Sequence, residues 1–434
     1  MQLNLNTRIF DFPEIELPAV WTVAWQGQVP VLADVEASTV RAVKHFLGNP
    51  RLCPGASVAV GVGSRGIANI ATIVRTVLRE LKKEGMVPFI VPAMGSHGGA
   101  TAQGQAAILA SYGINEETMG VPVRATMDVV QLGALDDGYP IYFDRYAAEA
   151  DAVVVVNRIK HHTDFKGPIE SGLCKMCAIG LGKRQGADRI HRFGADGLRH
   201  IMPEIGRRLV EAGKVVGGVG VIENQFGQTA EIHGLTAPEI GRQREQDLLD
   251  HARQLAPRLA FESADVLVVD EMGKDISGTG MDTHVIGRVR MPSIPENEWD
   301  GPDVRMVVAL SLTARTHGNA AGLHLADIVT RRLVEQMDVE ATCTNHRTSQ
   351  EGGAYRGGLP IVLETADAAV RAAIGMCGRG DRSAVRLVRI RNTEKVDTME
   401  VSEPLLEEVQ RRSDLRIVAG PHRMALEQPL EPGR

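Results

Sequence analysis

The first half of the chain carries polar clusters directly after three short apolar runs. These clusters contain Arg65, His97 and the adjacent pair His161 and His162. The planar guanidinium of an arginine binds carboxylate or phosphate groups through parallel hydrogen bonds, and histidines can supply an acid and a base near neutral pH. Because adjacent residues leaving a strand point in opposite directions, at most one member of the histidine pair is expected to face the site. The residue types predict an acid–base site for an anionic small molecule.

A second group of reactive residue types follows the histidine pair. Glu170, Ser171 and Gly172 are predicted to open a helix whose backbone N–H groups bind an anion. Cys174 and Cys177 form a CxxC pair, which leaves a redox or zinc role open. A structural zinc site needs a second pair of ligands, whereas the remaining cysteines are scattered singles, at Cys53, Cys343 and Cys377. The pattern therefore favours packing over metal binding for the cysteines.

The second half of the chain carries a glycine-rich loop, residues 273–280, after another apolar run. The loop has neither the GxxxxGK[ST] order of a phosphate loop nor the GxGxxG order of a dinucleotide fingerprint. Its place after a strand still predicts a ligand-facing loop. Arg288 and Arg290 follow closely, and Arg290 is assigned to binding a substrate carboxylate.

Strands and helices alternate along the chain in the manner of a parallel α/β sheet. Apolar runs predict strands at residues 57–62, 88–92, 152–156, 215–222, 266–270, 304–312 and 385–390. Three-and-four spacing of apolar residues predicts helices at about residues 67–81, 104–113, 198–212, 239–255, 323–337 and 366–376, the second capped by Thr101. Ligands bind at the carboxyl ends of such strands. The clusters at Arg65, His97 and His162 are therefore expected to share one crevice.

The predicted fold is α/β, with two α/β domains whose sheets are mainly parallel and with a cleft between the domains. The N-terminal domain, residues 1–255, is expected to hold the cofactor and the catalytic residues. The C-terminal α/β domain is expected at residues 256–384. The pattern leaves open whether the last segment, residues 385–434, returns to the N-terminal domain.

The composition excludes several classes of protein. The 434 residues are 44% hydrophobic and 24% charged, which is typical of globular chains with more than one domain. The net charge of −6 and the aromatic content of 4% argue against a nucleic-acid or anionic-membrane partner. No apolar stretch reaches the roughly 20 residues that span a bilayer, and no signal peptide is recognisable. With an odd number of cysteines as well, these features predict a reduced, cytoplasmic protein.

Four positions and their order along the chain resemble the nickel-dependent lactate racemase family. They are His97 in GSHG, His162 in HHTDFKG, Lys175 in SGLCK, and His191 sixteen positions after that lysine. The resemblance implies that Lys175 carries a covalently linked nickel-pincer nucleotide, a pyridinium-3,5-bisthiocarboxylic acid mononucleotide. It further implies that His191 completes the square-planar nickel site. The resemblance covers the first domain, and the second only in layout.

The same resemblance implies a racemase or epimerase of a 2-hydroxy acid, an isomerase. His97 and His162 are implied as acid and base, Arg65 as the group that holds the substrate carboxylate, and Ser171 and Gly172 as part of the cofactor-binding turn. Hydride transfer would belong to the cofactor. The implied partners are the small 2-hydroxy acid and the proteins that synthesise the cofactor.

One departure from the family concerns the substrate. Val62 stands where the family has an aspartate three residues before its arginine, and the tryptophans offer no obvious counterpart of the family's aromatic residue near the lactate site. A substrate larger or more polar than lactate is therefore expected.

Two other function classes stay open on the sequence alone. One is an oxidoreductase or lyase that uses the same crevice with a freely dissociating nucleotide. The other is a non-catalytic protein in which Cys174, Cys177 and His191 hold a transition metal. Neither hypothesis explains why Arg65 and His97 follow two strands of one predicted sheet.

Overall fold

The computed structural model describes residues 12–64, 66–348 and 358–431. The chain divides into two compact units. Unit A is Val29–Ala256, and unit B consists of the described residues of Met1–Gln28 and Pro257–Arg434. Both units mix helices and strands, and parallel strand pairs outnumber antiparallel ones in the two large sheets of the described chain. The predicted α/β class is confirmed.

The strands, in chain order, are β1 (Val20–Trp25), β2 (Ser57–Val62), β3 (Val87–Pro92), β4 (Val129–Ala134), β5 (Pro140–Asp144), β6 (Ala152–Arg158), β7 (Val215–Glu223), β8 (Thr229–Thr236), β9 (Ser263–Met272), β10 (Asp303–Leu312), β11 (Ile328–Thr330), β12 (Ile361–Leu363), β13 (Leu387–Asn392), β14 (Lys395–Ser402) and β15 (Leu415–His422).

The α-helices are α1 (Val35–Phe46), α2 (Ile70–Lys83), α3 (Ala102–Ser111), α4 (Glu116–Met119), α5 (Arg145–Glu149), α6 (Leu173–Lys175), α7 (Lys183–His191), α8 (Gly194–Asp196), α9 (Met202–Glu211), α10 (Gln243–Leu255), α11 (Thr283–Ile286), α12 (Arg331–Glu335), α13 (Val339–Thr348), α14 (Ala366–Met376) and α15 (Leu406–Arg411). Two wider π-helical turns continue α6 and α8, at Met176–Gly180 and Gly197–Ile201. Within the described residues, no helix is long and apolar enough to cross a membrane.

Unit A is built on a five-stranded sheet in the order β3–β2–β6–β7–β8. The first four strands are parallel, and β8 runs antiparallel to β7. Strands β2, β3 and β6 are buried along most of their length, as expected for parallel strands covered on both faces. Helices α1 and α2 contribute apolar side chains to the core on one face. The carboxyl ends of β2, β3 and β6 therefore lie at one edge of the sheet, as the sequence predicts.

Unit B is built on an eight-stranded mixed sheet in the order β12–β11–β10–β9–β13–β14–β1–β15. The strands from β12 to β13 are parallel to their neighbours, and the pairs β13–β14, β14–β1 and β1–β15 are antiparallel. This pairing corrects the predicted domain limits. The start of the chain belongs to unit B because β1 lies between β14 and β15, and the segment 385–434 does not return to unit A because its three strands extend the same sheet.

The predicted helix at residues 323–337 is wrong. Ile328 and Val329 lie in the short strand β11, where they are fully buried and pair in parallel with β10 and β12. Their β-branched side chains pack well in a sheet, and this preference overrides the three-and-four spacing of the surrounding apolar residues. Of the predicted helix, a single 3-10 turn at Leu323–Leu325 and the short helix α12 remain. Helix α12 begins after Thr330, whose side chain accepts a hydrogen bond from the Leu333 N–H at 3.1 Å.

Candidate functional site

The loops that follow β2 and β3 contact each other at the edge of the unit A sheet. Ser64 Oγ and His97 Nδ1 form a short hydrogen bond, and the Tyr112 hydroxyl donates to the backbone oxygen of Ser64 at 2.5 Å. The sequence singled out His97 but missed Ser64, whose signal is its place at the same strand end as Arg65. Arg65 itself, the predicted carboxylate-binding residue, lies outside the described residues.

The loop that carries His97 is held in one conformation by its glycines and by α3. Gly98 has a φ of +65°, and a Cβ at that position would lie 2.6 Å from the carbonyl carbon of Gly104, so only glycine fits. The buried Gln105 donates from Nε2 to the backbone oxygen of Gly95 at 2.9 Å and to that of His97 at 3.3 Å. The backbone of His97 is thus fixed although its side chain is exposed.

The turn that carries Lys175 packs against the ends of β2 and β6. A Cβ on Gly63, directly after β2, would lie 2.7 Å from Met176 Cε. The Met176 side chain therefore lies close to the Gly63 backbone. Asn157, near the end of β6, donates from Nδ2 to the backbone oxygen of Gly172 at 3.1 Å. The Lys175 turn therefore meets the sheet edge at which the His97 loop begins.

Of the adjacent histidines, His161 is buried and His162 is partly exposed. The Asp164 N–H donates to Nδ1 of His162 at 3.1 Å, and the Phe165 ring lies beside the imidazole with 4.7 Å between ring centroids. Because Nδ1 accepts a hydrogen bond, the neutral ring carries its proton on Nε2. His162 is thus the member of the pair with the more accessible ring.

Lys175, His162 and His191 share one electrostatic neighbourhood. Burial lowers the pKa of His162 well below its usual value, and the Lys175 charge lowers it further. Burial and then Lys175 also lower the pKa of His191, whereas Asp164 acts in the opposite direction. Such effects require charges that lie close together. Both imidazoles are therefore neutral at pH 7, the form that binds metals or accepts a proton.

The predicted anion-binding helix start is occupied by the protein's own carboxylate. The Cys174 N–H, in the first turn after Gly172, donates to Glu245 Oε1 at 3.1 Å. A Cβ on Gly172 would lie 2.2 Å from the same oxygen, which explains a glycine at this position. The backbone of Ser171 pairs with that of Lys160 through bonds of 3.0 and 3.3 Å. The assignment of Ser171 and Gly172 to cofactor binding stays a prediction.

Arg290 lies in unit B, where its guanidinium contacts other groups of that unit. It forms a short ion pair with Asp327 and donates from Nη1 to the backbone oxygen of His324 at 2.8 Å. These contacts hold the side chain within unit B. Its assignment to a substrate carboxylate stays a prediction.

The CxxC pair is buried and protonated. Cys174 and Cys177 are both fully buried, and burial raises the pKa of each thiol. Metal binding and disulfide exchange both require the thiolate. In the described part of the chain, no group of three or more His, Cys, Asp or Glu side chains is arranged to hold a metal ion. These observations argue against the hypothesis that the cysteines and His191 form a transition-metal site.

We expect the double variant Cys174→Ala, Cys177→Ala to retain the metal content of the wild-type protein, because both thiols are fully buried and no metal-holding group among the described residues includes them. Elemental analysis of both proteins after expression with supplemented nickel and zinc measures this directly. The single variant Cys343→Ala, at an exposed cysteine, is the control. Loss of bound metal from a folded double variant would instead support the metal-binding hypothesis.

Part of the first half of the chain matches a known protein family. Residues 55–193 match the family model of the lactate racemase N-terminal domain, a range that contains His97, His162, Lys175 and His191. The lactate racemase apoprotein from Thermoanaerobacterium thermosaccharolyticum is similar in structure, with a TM-score of 0.51 and 10% identity over 87% of this chain and 99% of that chain. A protein from Thermotoga maritima gives a TM-score of 0.45 and 11% identity, over 65% and 72% of the two chains. No curated protein matches. The family match supports a racemase- or epimerase-type function in the broad sense, and the first structural match shows a shared fold.

Proposed function

We propose that this chain, whose residues 55–193 match the lactate racemase N-terminal domain, is a racemase or epimerase of a 2-hydroxy acid other than lactate. We further propose that it works with a nickel-pincer nucleotide linked to Lys175. The observation that carries the proposal is the match of residues 55–193, which contain His97, His162, Lys175 and His191, to the lactate racemase N-terminal domain. The contacts of the Lys175 turn with Gly63 and Asn157 at the sheet edge support it. An amine and two neutral imidazoles in one partly buried place are what this chemistry requires.

The donor set of this neighbourhood fits the cofactor. Lys175 offers a primary amine for the covalent link, in a turn to which Ser171 and Gly172 belong. His191 offers a neutral imidazole, a ligand that suits nickel. When bound, a nickel-pincer nucleotide supplies a centre that accepts a hydride from the substrate Cα and gives it back.

The protein's own residues move the hydroxyl proton. As the substrate C–O bond becomes C=O, the hydroxyl proton passes to a histidine, and it returns when the alcohol is formed again. His97 and His162 are assigned to the two faces of the substrate. Nδ1 of His97 is engaged by Ser64, so proton transfer by His97 is assigned to Nε2. As long as Nδ1 of His162 accepts the Asp164 N–H, Nε2 of that ring holds the ring proton and acts toward the substrate as the donor and not as the acceptor. Return of hydride and proton to the opposite face gives the other stereoisomer.

Substrate orientation is assigned to the arginines. A guanidinium matches a carboxylate in shape and charge, and Arg65 and Arg290 are the residues proposed for this role. The proposed partners are the 2-hydroxy acid and the proteins that synthesise the cofactor, with no nucleic-acid or membrane partner.

The proposal is tested on protein made in cells that synthesise the nickel-pincer nucleotide. Single stereoisomers of 2-hydroxy acids of about three to six carbons, deuterated at Cα, are incubated with the enzyme and separated by chiral chromatography with mass detection. We expect inversion of at least one acid with the deuterium retained, because a hydride that returns to the same carbon does not mix with solvent. Peptide mass spectrometry is expected to show an adduct at Lys175.

Three outcomes would contradict the proposal. Inversion with loss of deuterium to water would indicate removal of the Cα hydrogen as a proton. An absence of inversion by protein that carries the adduct would exclude racemisation of these acids. Turnover that depends on added dissociable nucleotide, with Lys175 unmodified, would favour an oxidoreductase or lyase.

A further inference from the structure

Helix α10 contacts both of the chain segments that carry reactive residues in unit A. It lies beyond the matched domain at residues 55–193 but within the same compact unit. Two charged residues of this helix make the contacts, Glu245 near its start and Arg253 in its last turn. They are about 12 Å apart along the helix axis. One rigid element therefore reaches two separate loops.

Glu245 holds the turn of Lys175. Its side chain is buried, with 1% of the residue exposed. Oε1 accepts the Cys174 N–H at 3.1 Å, and Oε2 accepts the Gly241 N–H at 2.7 Å. The carboxylate fills the space that a side chain at Gly172 would need. The position of α6, and with it the Lys175 backbone, is thus tied to α10.

Arg253 holds the loop of His162 through a second carboxylate. Arg253 Nη2 donates to Glu170 Oε1 at 2.6 Å and to the backbone oxygen of Gly167 at 3.2 Å. The buried Glu170 in turn accepts the His162 N–H at 2.6 Å and the Gly167 N–H at 3.0 Å. Without the guanidinium, a buried carboxylate inside this loop would lose its counter-charge. The backbone of His162 is thus tied to the other end of α10.

We propose that α10 is a positioning element, in which Glu245 and Arg253 fix the Lys175 turn and the His162 loop relative to each other. The inference rests on the proposed function, because that function gives Lys175 and His162 a common reaction. Neither Glu245 nor Arg253 is assigned to substrate or cofactor, and both act through the backbone of other residues. A displacement of about 1 Å between reacting groups can cost on the order of 10²-fold in rate. Loss of this positioning is therefore expected to have a large effect on turnover.

The first test measures amide hydrogen exchange in the protein without cofactor. In Arg253→Met, the amides of His162 and Gly167 are expected to exchange about tenfold faster than in the wild type, because their acceptor loses its counter-charge. Glu245→Gln keeps the side-chain volume beside Gly172. In this variant, the amide of Cys174 is expected to exchange faster than in the wild type. Arg244→Met and Asp247→Asn, at exposed positions of the same helix, are the matched controls.

The second test measures turnover of the loaded enzyme. Arg253→Met is expected to lower kcat by about 10²-fold, with KM changed by less than about twofold, since the proposed substrate-binding residues are untouched. Arg253→Lys is expected to recover part of kcat, because an ammonium group can still pair with Glu170 but lacks the guanidinium fork. This partial rescue distinguishes positioning from general loss of folding.

Wild-type exchange at His162 and wild-type kcat in Arg253→Met would overturn the positioning role, as would faster exchange spread evenly over unit A. If the wild-type protein itself fails to racemise, the proposed function fails. In that case the segment-specific exchange pattern still supports the positioning role of α10. Failure of the proposed function and failure of the positioning role are therefore distinguishable.

Discussion

Changing Lys175 to Arg is expected to abolish the proposed racemisation and to prevent the proposed covalent adduct without unfolding unit A. A guanidinium stays protonated in proteins and is no nucleophile for the link that the family resemblance assigns to this lysine. The substitution keeps the positive charge that lowers the pKa of His162 and His191. Because Lys175 is partly exposed, the larger head group can be accommodated. Rates from chiral chromatography, nickel content and peptide mass measure the three consequences.

Two further variants make this result specific. Lys166→Arg makes the same chemical change in the neighbouring loop and is expected to leave rate and adduct at wild-type levels. His162→Asn is expected to retain adduct and nickel while kcat falls by about 10²- to 10⁴-fold, the range for loss of a general acid or base. A Lys175→Arg protein that racemises at the wild-type rate would contradict the covalent link.

Features that depend on short stretches of sequence could be predicted well. The strand Ser57–Val62 and the helix Ala366–Met376 occur with the predicted bounds. An apolar run and a helical spacing of apolar residues can both be recognised within a short stretch of consecutive residues. The Thr101 cap is also confirmed, by a bond of 3.0 Å from the Gly104 N–H. The meeting of the loops after β2 and β3 follows from the same logic, since parallel strands place their carboxyl ends together.

Features that depend on distant partners could not be predicted. The sequence gives no sign that β1 lies between β14 and β15, since this pairing joins the two ends of the chain. The contacts of Glu245 and Arg253 with the reactive loops were missed for the same reason. Acidic and basic residues on a helix are usually solvated, and only the tertiary fold shows that Glu245 is buried. The anion predicted for the helix start after Gly172 is a carboxylate from a helix far along the chain.

Lys183 is the clearest case of a residue whose role is set by such a partner. In the sequence it is one lysine among polar residues. In the structure its side chain and that of Asp144 are both 0% exposed, with 3.1 Å between Nζ and Oδ2. Nζ also donates to the Pro92 backbone oxygen and, at 3.1 Å, to Gln105 Oε1. Lys183 thus connects the end of β3 and the residue that holds the His97 loop to the start of α7, the helix that ends at His191.

Replacing Lys183 with Met is expected to lower the free energy of unfolding by about 3–5 kcal/mol, because Asp144 would remain buried without its counter-charge. Burial raises the pKa of Asp144 and lowers that of Lys183, and each charge offsets part of the shift of the other. Urea unfolding of the protein without cofactor measures the change. Arg184→Met, at the exposed neighbouring position, is the control and should stay within about 0.5 kcal/mol of the wild type.

The double variant Lys183→Met, Asp144→Asn decides whether the lost charge pair is the cause. An asparagine oxygen can still accept the Ala147 N–H that Asp144 Oδ1 accepts at 2.9 Å, so the cap of α5 is kept while the buried charge is removed. At least about half of the lost stability is therefore expected to return. If the double variant is as unstable as Lys183→Met alone, the loss comes from the Pro92 and Gln105 contacts. The lysine would then act mainly as a hydrogen-bond donor that orders the approach to His97.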